Sequence, residues 1–330
     1  MKYLRMLFDP FTLTLLAVVA AATVLPCQGQ GAQVFGWLTN LAIGLLFFLH
    51  GAKLSREAII AGAGHWRLHL VVFSCTFALF PLLGLAFKPL FLPLVGNELY
   101  LGMLYLCALP ATVQSAIAFT SLARGNVPAA ICSAAASSLL GIVLTPLLVM
   151  LLLGADGETG SGLDAVLKIT LQLLVPFVAG QLARRWIGGW AKRHARWLKL
   201  VDQGSILLVV YTAFSDAVVT GLWQSVSPQH LAGLFAVCAV LLAAILLATH
   251  LVGRLFGFNL QDRITILFAG SKKSLATGVP MAQVLFVGSG IGAMILPLML
   301  FHQIQLMVCA VLAQHYARRD VDIEGAPAAR

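Results

Sequence analysis

Charge is what this chain has least of. Of its 330 residues only 10% are charged, Asp and Glu together number 12, and 60% are hydrophobic. Soluble domains carry about 25% charged residues and disordered chains are far less apolar, so both classes are excluded. Cysteine is sparse and scattered. Cys27, Cys75, Cys107, Cys132, Cys238 and Cys309 show no paired ligand spacing and fall mostly inside apolar runs, which argues against a disulfide framework and against a metal site. Also missing are a nucleophile–base arrangement, a phosphate-cradling glycine loop and a cluster of metal-ligating side chains. Neither an enzyme nor a bound cofactor is expected.

What is present is a succession of apolar runs, with a mean hydropathy of +0.95. Ten are long enough to be membrane helices: residues 11–25, 34–50, 68–87, 99–119, 127–153, 166–182, 205–222, 231–256, 264–285 and 291–312. The first is short; it is expected to start nearer Met6, with Pro10 in its opening turn and no cleavage site behind it. Basic residues test this count, because they should gather in alternate loops. They do so at Lys2 and Arg5, at Lys53, Arg56 and Arg67, at Arg124, from Arg184 to Lys199, at Arg254 and Arg263, and at Arg318, Arg319 and Arg330. The intervening loops are nearly free of them: 27–33, 223–230 and 287–292 carry none, and the loop at 156–164 is acidic. The net charge of +9 therefore points to the membrane and not to nucleic acid, with both termini cytoplasmic. Residues 183–200, with Trp186, Trp190 and Trp197 among arginines and lysines, have the makings of an interfacial helix against anionic lipid.

Five spans precede the loop at 156–164 and five follow it, and an odd number per half makes the second half insert upside down. The expected fold is all-α and polytopic: two inverted five-helix repeats, 1–155 and 165–318, with 156–164 connecting them outside the cytoplasm and 319–330 a cytoplasmic tail. The fourth span of each half is interrupted. Pro110 precedes Gln114-Ser115-Ala116-Ile117-Ala118, and Lys273-Ser274-Leu275-Ala276-Thr277 runs into Gly278 and Pro280. Helix breaks at membrane depth need protein or a watery cavity to satisfy the freed backbone, and matched breaks point to a site between the halves.

The sharpest anomaly lies in the ninth span, where Lys272 and Lys273 stand side by side and no acid in 264–285 beyond the leading polar edge neutralises them. About ten residues separate them from Asp262 and Arg263, so at ~1.5 Å per residue they sit ~15 Å deep in a ~30 Å core. A lysine there costs roughly 2.5–3.5 kcal/mol on insertion scales, so at least one is expected to face a wet cavity. Candidate solute-binding residues are Thr112, Gln114, Ser115, Ser271, Lys272, Lys273, Ser274, Thr277, His302 and Gln303, with Gln305 nearby in the tenth span. Asp216, the only acid deep in a span, joins Lys272 and Lys273 as a coupling candidate: a counter-ion, a proton carrier or a structural hydrogen bond.

Ala123-Arg124-Gly125-Asn126-Val127, Thr277-Gly278 and His302-Gln303 resemble motifs of the bile acid:sodium symporter family, and the resemblance covers roughly residues 7–318. The string Gly270–Ala282, GSKKSLATGVPMA, is more similar to one branch of that family, containing an orphan cotransporter and bacterial symporters. The resemblance implies a ten-helix inverted-repeat fold with a panel and a core domain, helices four and nine breaking and crossing at the solute site. It also implies where sodium ligands would be. Family members that couple to sodium keep a Glu and a Gln at positions matching Ala276 and Pro280, and a Ser and a Thr matching Ala130 and Ala134. The Ser-Asn of their fourth helix falls at Ser115-Ala116 or Ala116-Ile117. Sodium needs several oxygens, and these positions do not supply them.

The expectation is a secondary transporter in a bacterial inner membrane, moving a small anionic organic solute by alternating access. Proton coupling or facilitated diffusion is expected ahead of sodium symport, with a lysine ammonium in the electrostatic place of the cation. Sodium symport through other oxygens, and a membrane regulator that does not transport, remain open at this point. Membrane lipid is the other expected partner.

Overall fold

The computed structural model describes residues 10–53, 64–153, 163–286 and 291–318. Among these, all regular structure is helical. In chain order the helices are α1 (Pro10–Val24), α2 (Gly29–Lys53), α3 (Trp66–Ala86), α4 (Lys88–Ala108), α5 (Gln114–Leu122), α6 (Val127–Leu153) and α7 (Leu163–Arg193). There follow α8 (Ala195–Val219), a single unnumbered helical turn at Leu222–Ser225, α9 (Pro228–Leu255), α10 (Leu260–Gly270), α11 (Leu275–Leu285) and α12 (Ile291–Ala317). Seven of them, α2, α3, α4, α6, α8, α9 and α12, are long and apolar enough to cross a bilayer. The chain is an integral membrane protein.

Local chemistry explains the helix ends. Ser227 caps α9 by accepting the His230 N–H at 3.2 Å, with Pro228 at the first helical position, where a missing N–H costs nothing. Asn259 caps α10 by accepting the Asp262 N–H at 2.8 Å. The predicted fourth and ninth spans each divide into two helices, α4/α5 and α10/α11, and the fifth coincides with α6. Residues 88–98, expected as a loop, are helical too, and Gly96 (φ 75, ψ 172) kinks α4 within that stretch.

The stretch 183–200 is not a separate interfacial helix. It is the end of α7 and the start of α8, divided at His194, because an uninterrupted helical hydrogen-bond ladder carries α7 through Arg193. Trp186 and Trp197 are 76% and 68% exposed, as interfacial anchors would be. The start near Met6, most of the loop 156–164 and the tail 319–330 lie outside the described residues.

Packing sorts the helices into two groups. In the first, α2 packs on α7 and α8, and α1 on α8. Small residues bring α2 and α7 together: a Cβ on Gly51 would lie 2.0 Å from the Phe177 carbonyl oxygen, and one on Gly180 1.9 Å from that of Phe48. Lys53 of α2 pairs with Asp202 of α8. In the second group, α4 packs on α12, α9 and α6, α3 on α4, α6 and α10, α10 on α9 and α5, and α11 on α12. The groups meet where α8 touches α11 and α12 and where α7 touches α6.

Candidate functional site

Pro110 ends α4. It drives the preceding Leu109 into an extended conformation (φ −74, ψ 156), leaving the last carbonyls of α4 without helical partners. Those from Cys107 to Pro110 have found other donors. Ala108 O accepts the Thr145 hydroxyl at 2.9 Å, and Pro110 O accepts the Ser274 N–H at 3.0 Å. Cys107 O and Leu109 O accept the Lys273 ammonium at 2.8 and 2.7 Å. The Ala111 N–H, which an unbroken helix would give to Cys107 O, goes to Ser137 Oγ at 3.0 Å.

The second break, between α10 and α11, is closed from α12 and from its own hydroxyls. The Gln305 side-chain amide grips the Lys273 backbone on both sides: Oε1 accepts its N–H at 2.9 Å and Nε2 donates to its carbonyl at 2.8 Å. The same Nε2 donates to His302 Nδ1 at 2.8 Å, which leaves the ring proton on Nε2 and makes the 3.4 Å approach of Nδ1 to the Lys273 carbonyl a mere contact. Ser271 Oγ bonds back to the Leu267 carbonyl, and Ser274 caps α11 by accepting the Thr277 N–H at 3.3 Å. Gly278 lets α11 cross close to the first break, since a Cβ there would stand 2.5 Å from Leu109 Cδ1 and 2.6 Å from Leu298 Cδ2. Tyr105 Oη locks the crossing by donating to the Gly278 carbonyl at 2.6 Å.

Lys273 joins both breaks to α3. Its ammonium is fully buried and donates to three carbonyls, the third being Thr76 O at 2.7 Å, while the Phe80 ring centre lies 4.2 Å away. A π-type turn over Cys75–Leu79 explains why Thr76 O is free. Phe80 N bonds Cys75 O, five residues back; in that register the next N–H would belong to Pro81, which has none. A carbonyl orphaned in α3 by one proline, and two orphaned in α4 by another, thus converge on one ammonium.

Lys272 is equally buried but held differently. Its ammonium donates to the Ser115 carbonyl at 3.1 Å and lies 3.7 Å from the Phe119 ring centre and 5.6 Å from that of Phe268. The expectation that one lysine faces a wet cavity is therefore not met, because carbonyl dipoles and aromatic faces take the place of water.

Among the other predicted residues, Thr112 and Ser115 share a hydrogen bond at 2.7 Å beside Lys272, and the Thr277 hydroxyl is buried with no partner among the described residues. His302 is half-buried and adjoins the Lys273 clamp, Gln303 on the same turn is half-buried, and Gln114, the first residue of α5, is exposed. Asp216 is not with them. It is exposed in a separate cavity of about 470 Å³ lined also by Cys27, Gln28, Thr212 and Gln283, and among the described residues it forms no ion pair with either lysine. Thr76, Phe80, Phe119 and Tyr105 are site residues that the sequence did not single out.

The motif at 123–127 anchors the site and does not line it. Arg124 takes a left-handed conformation (φ 58) to leave α5, and Asn126 then caps α6 through the Ala129 N–H while donating to Asp262 Oδ1 at 2.8 Å. Asp262, 2% exposed, also accepts Asn259 Nδ2 at 3.0 Å. The turn after one broken helix is thereby tied to the start of the other.

Known proteins resemble this chain along nearly its whole length. Residues 9–318 match the family described as SBF-like CPA transporter family (DUF4137). The protein PA2026 of Pseudomonas aeruginosa is 69% identical over 322 residues, covering 98% of this chain and 97% of its own. YfeH of Escherichia coli K12, provisionally named a symporter, is 58% identical over 98% of this chain and 97% of its own. Sodium/bile acid cotransporter 7 of mouse is 29% identical over 92% of this chain and 90% of its own. A chain built of apolar helices, with two broken ones crossing at a buried charge and this match along nearly its whole length, belongs to the SBF-like CPA transporter family, secondary transporters of the bile acid:sodium symporter type.

Proposed function

We propose that this protein carries a small anionic organic solute across a bacterial inner membrane by alternating access, and that the Lys273 ammonium stands where sodium-coupled members of the family hold their cation. The observation that carries this is the convergence of three backbone carbonyls on Lys273 at 2.7–2.8 Å, at the crossing of the broken helices. Carbonyl oxygens of interrupted helices are the usual cradle of a coupling ion. Here a tethered cation fills that cradle. Ala130 and Ala134, where the family resemblance places sodium-ligating hydroxyls, are buried and offer no side-chain oxygen.

The ten spans form two inverted repeats in this reading. The first group of helices, α1, α2, α7 and α8, comes from the first two spans of each half and forms the panel; the remaining spans form the core. Gln305, Tyr105 and the Asn126–Asp262 tie keep the crossing rigid, so that the core moves as a body against the panel. With both termini cytoplasmic, the basic loops after the second, fourth, sixth and eighth spans all face the same compartment.

A fixed positive charge with no acidic partner among the described residues favours an anion: at 4 Å and an effective dielectric near 20 the attraction is about 4 kcal/mol. The name of the vertebrate relatives, sodium/bile acid cotransporter, supplies the solute class to try first. Reconstituted protein should take up organic anions saturably, driven by a proton gradient or by the solute's own gradient. Lys272→Met/Lys273→Met should abolish uptake. No saturable uptake of any organic anion, or full activity in the double variant, would overturn the proposal.

A further inference from the structure

The two lysines are neighbours with the same burial and unequal hydrogen bonding. An ammonium has three N–H groups. Those of Lys273 all go to carbonyls, at 2.7, 2.8 and 2.7 Å, so it can take a new partner only by releasing a backbone group. Lys272 has one oxygen partner among the described residues, the Ser115 carbonyl; the faces of Phe119 and Phe268 cover it, and Cys309 and His302 stand near. An aromatic face is a weaker partner than a carboxylate, with which an ammonium forms short, charge-assisted bonds.

Access also differs between them. Lys272 is roofed by α5, where Ser115 and Phe119 are half-buried and Gln114 is exposed, so the approach from outside runs along that helix. Lys273 is closed in by α3, α4 and the Phe80 ring. The Thr112–Ser115 hydroxyl pair lies beside the Ser115 carbonyl that Lys272 already contacts, and two hydroxyls bonded to each other retain one further donor.

The geometry points to Lys272 as the residue that binds the carboxylate of the solute, with Phe119 as its gate and Lys273 confined to holding the crossing together. When no anion is present the Phe119 ring covers the ammonium; a carboxylate displaces the ring and takes the two free N–H groups together with a hydroxyl of Thr112 or Ser115. This assignment rests on the transport reading above and adds to it which lysine meets the solute and what covers it.

The test is carboxylate binding to the purified full-length protein, measured by thermal shift and by equilibrium binding with potassium acetate, benzoate and cholate in sodium-free buffer. The wild type is expected to be stabilised by at least one of them. Lys272→Met should weaken that binding at least tenfold while its unliganded melting point stays near the wild type, and Lys272→Arg should retain it within a few-fold. Phe119→Leu, which removes the competing ring, should tighten binding several-fold. A purely structural Lys272 would not give effects of opposite sign in these two variants. Wild-type-like binding by Lys272→Met, or weakened binding by Phe119→Leu, would overturn the assignment. If the wild type responds to none of the three carboxylates, the carboxylate assignment fails with it, whereas loss of saturable uptake of every organic anion is what would overturn the transport reading.

Discussion

Replacing Lys273 with Met deletes three hydrogen bonds and leaves the carbonyls of Thr76, Cys107 and Leu109 buried with no donor. At about 1–3 kcal/mol for each orphaned group, the loss is roughly 3–9 kcal/mol. The variant no longer has to desolvate an ammonium, which returns several kcal/mol, so the net loss falls at the low end of that range, about 3 kcal/mol. Lys272→Met is the control, since it loses one carbonyl bond and a ring contact, together about 1–3 kcal/mol before any desolvation gain. Heating both variants in detergent while following helix content gives apparent midpoints. Lys273→Met should melt at least ~5 °C below Lys272→Met. Equal midpoints would show that the three carbonyls do not depend on Lys273, and the tethered-cation argument would lose its basis.

The other predictions concern the groups that seat this lysine. Gln305→Leu strips both clamps from the Lys273 backbone and orphans a buried N–H and a buried carbonyl, so a loss of roughly 2–4 kcal/mol should appear in the same melting assay. Gly278→Ala forces a Cβ to within 2.5 Å of Leu109 and should cost about 1–3 kcal/mol, with transport falling further than stability because the crossing itself is displaced. Pro81→Ala offers Thr76 O a backbone donor, so in a double-mutant cycle the cost of Lys273→Met should shrink by about 1–2 kcal/mol; strict additivity would refute the role given to the proline.

The first helix break was legible in the sequence because proline acts locally: Pro110 dictates the conformation of Leu109 whatever surrounds it. The second lies at 271–274, ahead of the Gly278 and Pro280 that pointed to it, and both of these sit inside α11. The lysine pair was legible because charge at membrane depth is costly anywhere. What faces what was not legible. Membrane helices such as α4 and α9 are apolar all round, so no polar stripe marks the side that packs, and α3 gave no sign that it contributes a carbonyl and a ring to Lys273. Gln114 looked like a cavity residue by its position after Pro110 but projects outward as α5 begins, and Asp216 drew attention by depth alone and lies in a different cavity. The basic stretch at 183–200 misled because its tryptophans and arginines mark an interface equally well when two long helices end there.

Uptake of an organic anion into proteoliposomes, with sodium replaced by potassium on both sides, tests the central claim most directly. If the Lys273 ammonium occupies the place of the coupling cation, saturable uptake persists at an unchanged rate without sodium and disappears in Lys273→Met. Uptake that requires an inward sodium gradient in the wild type would contradict it.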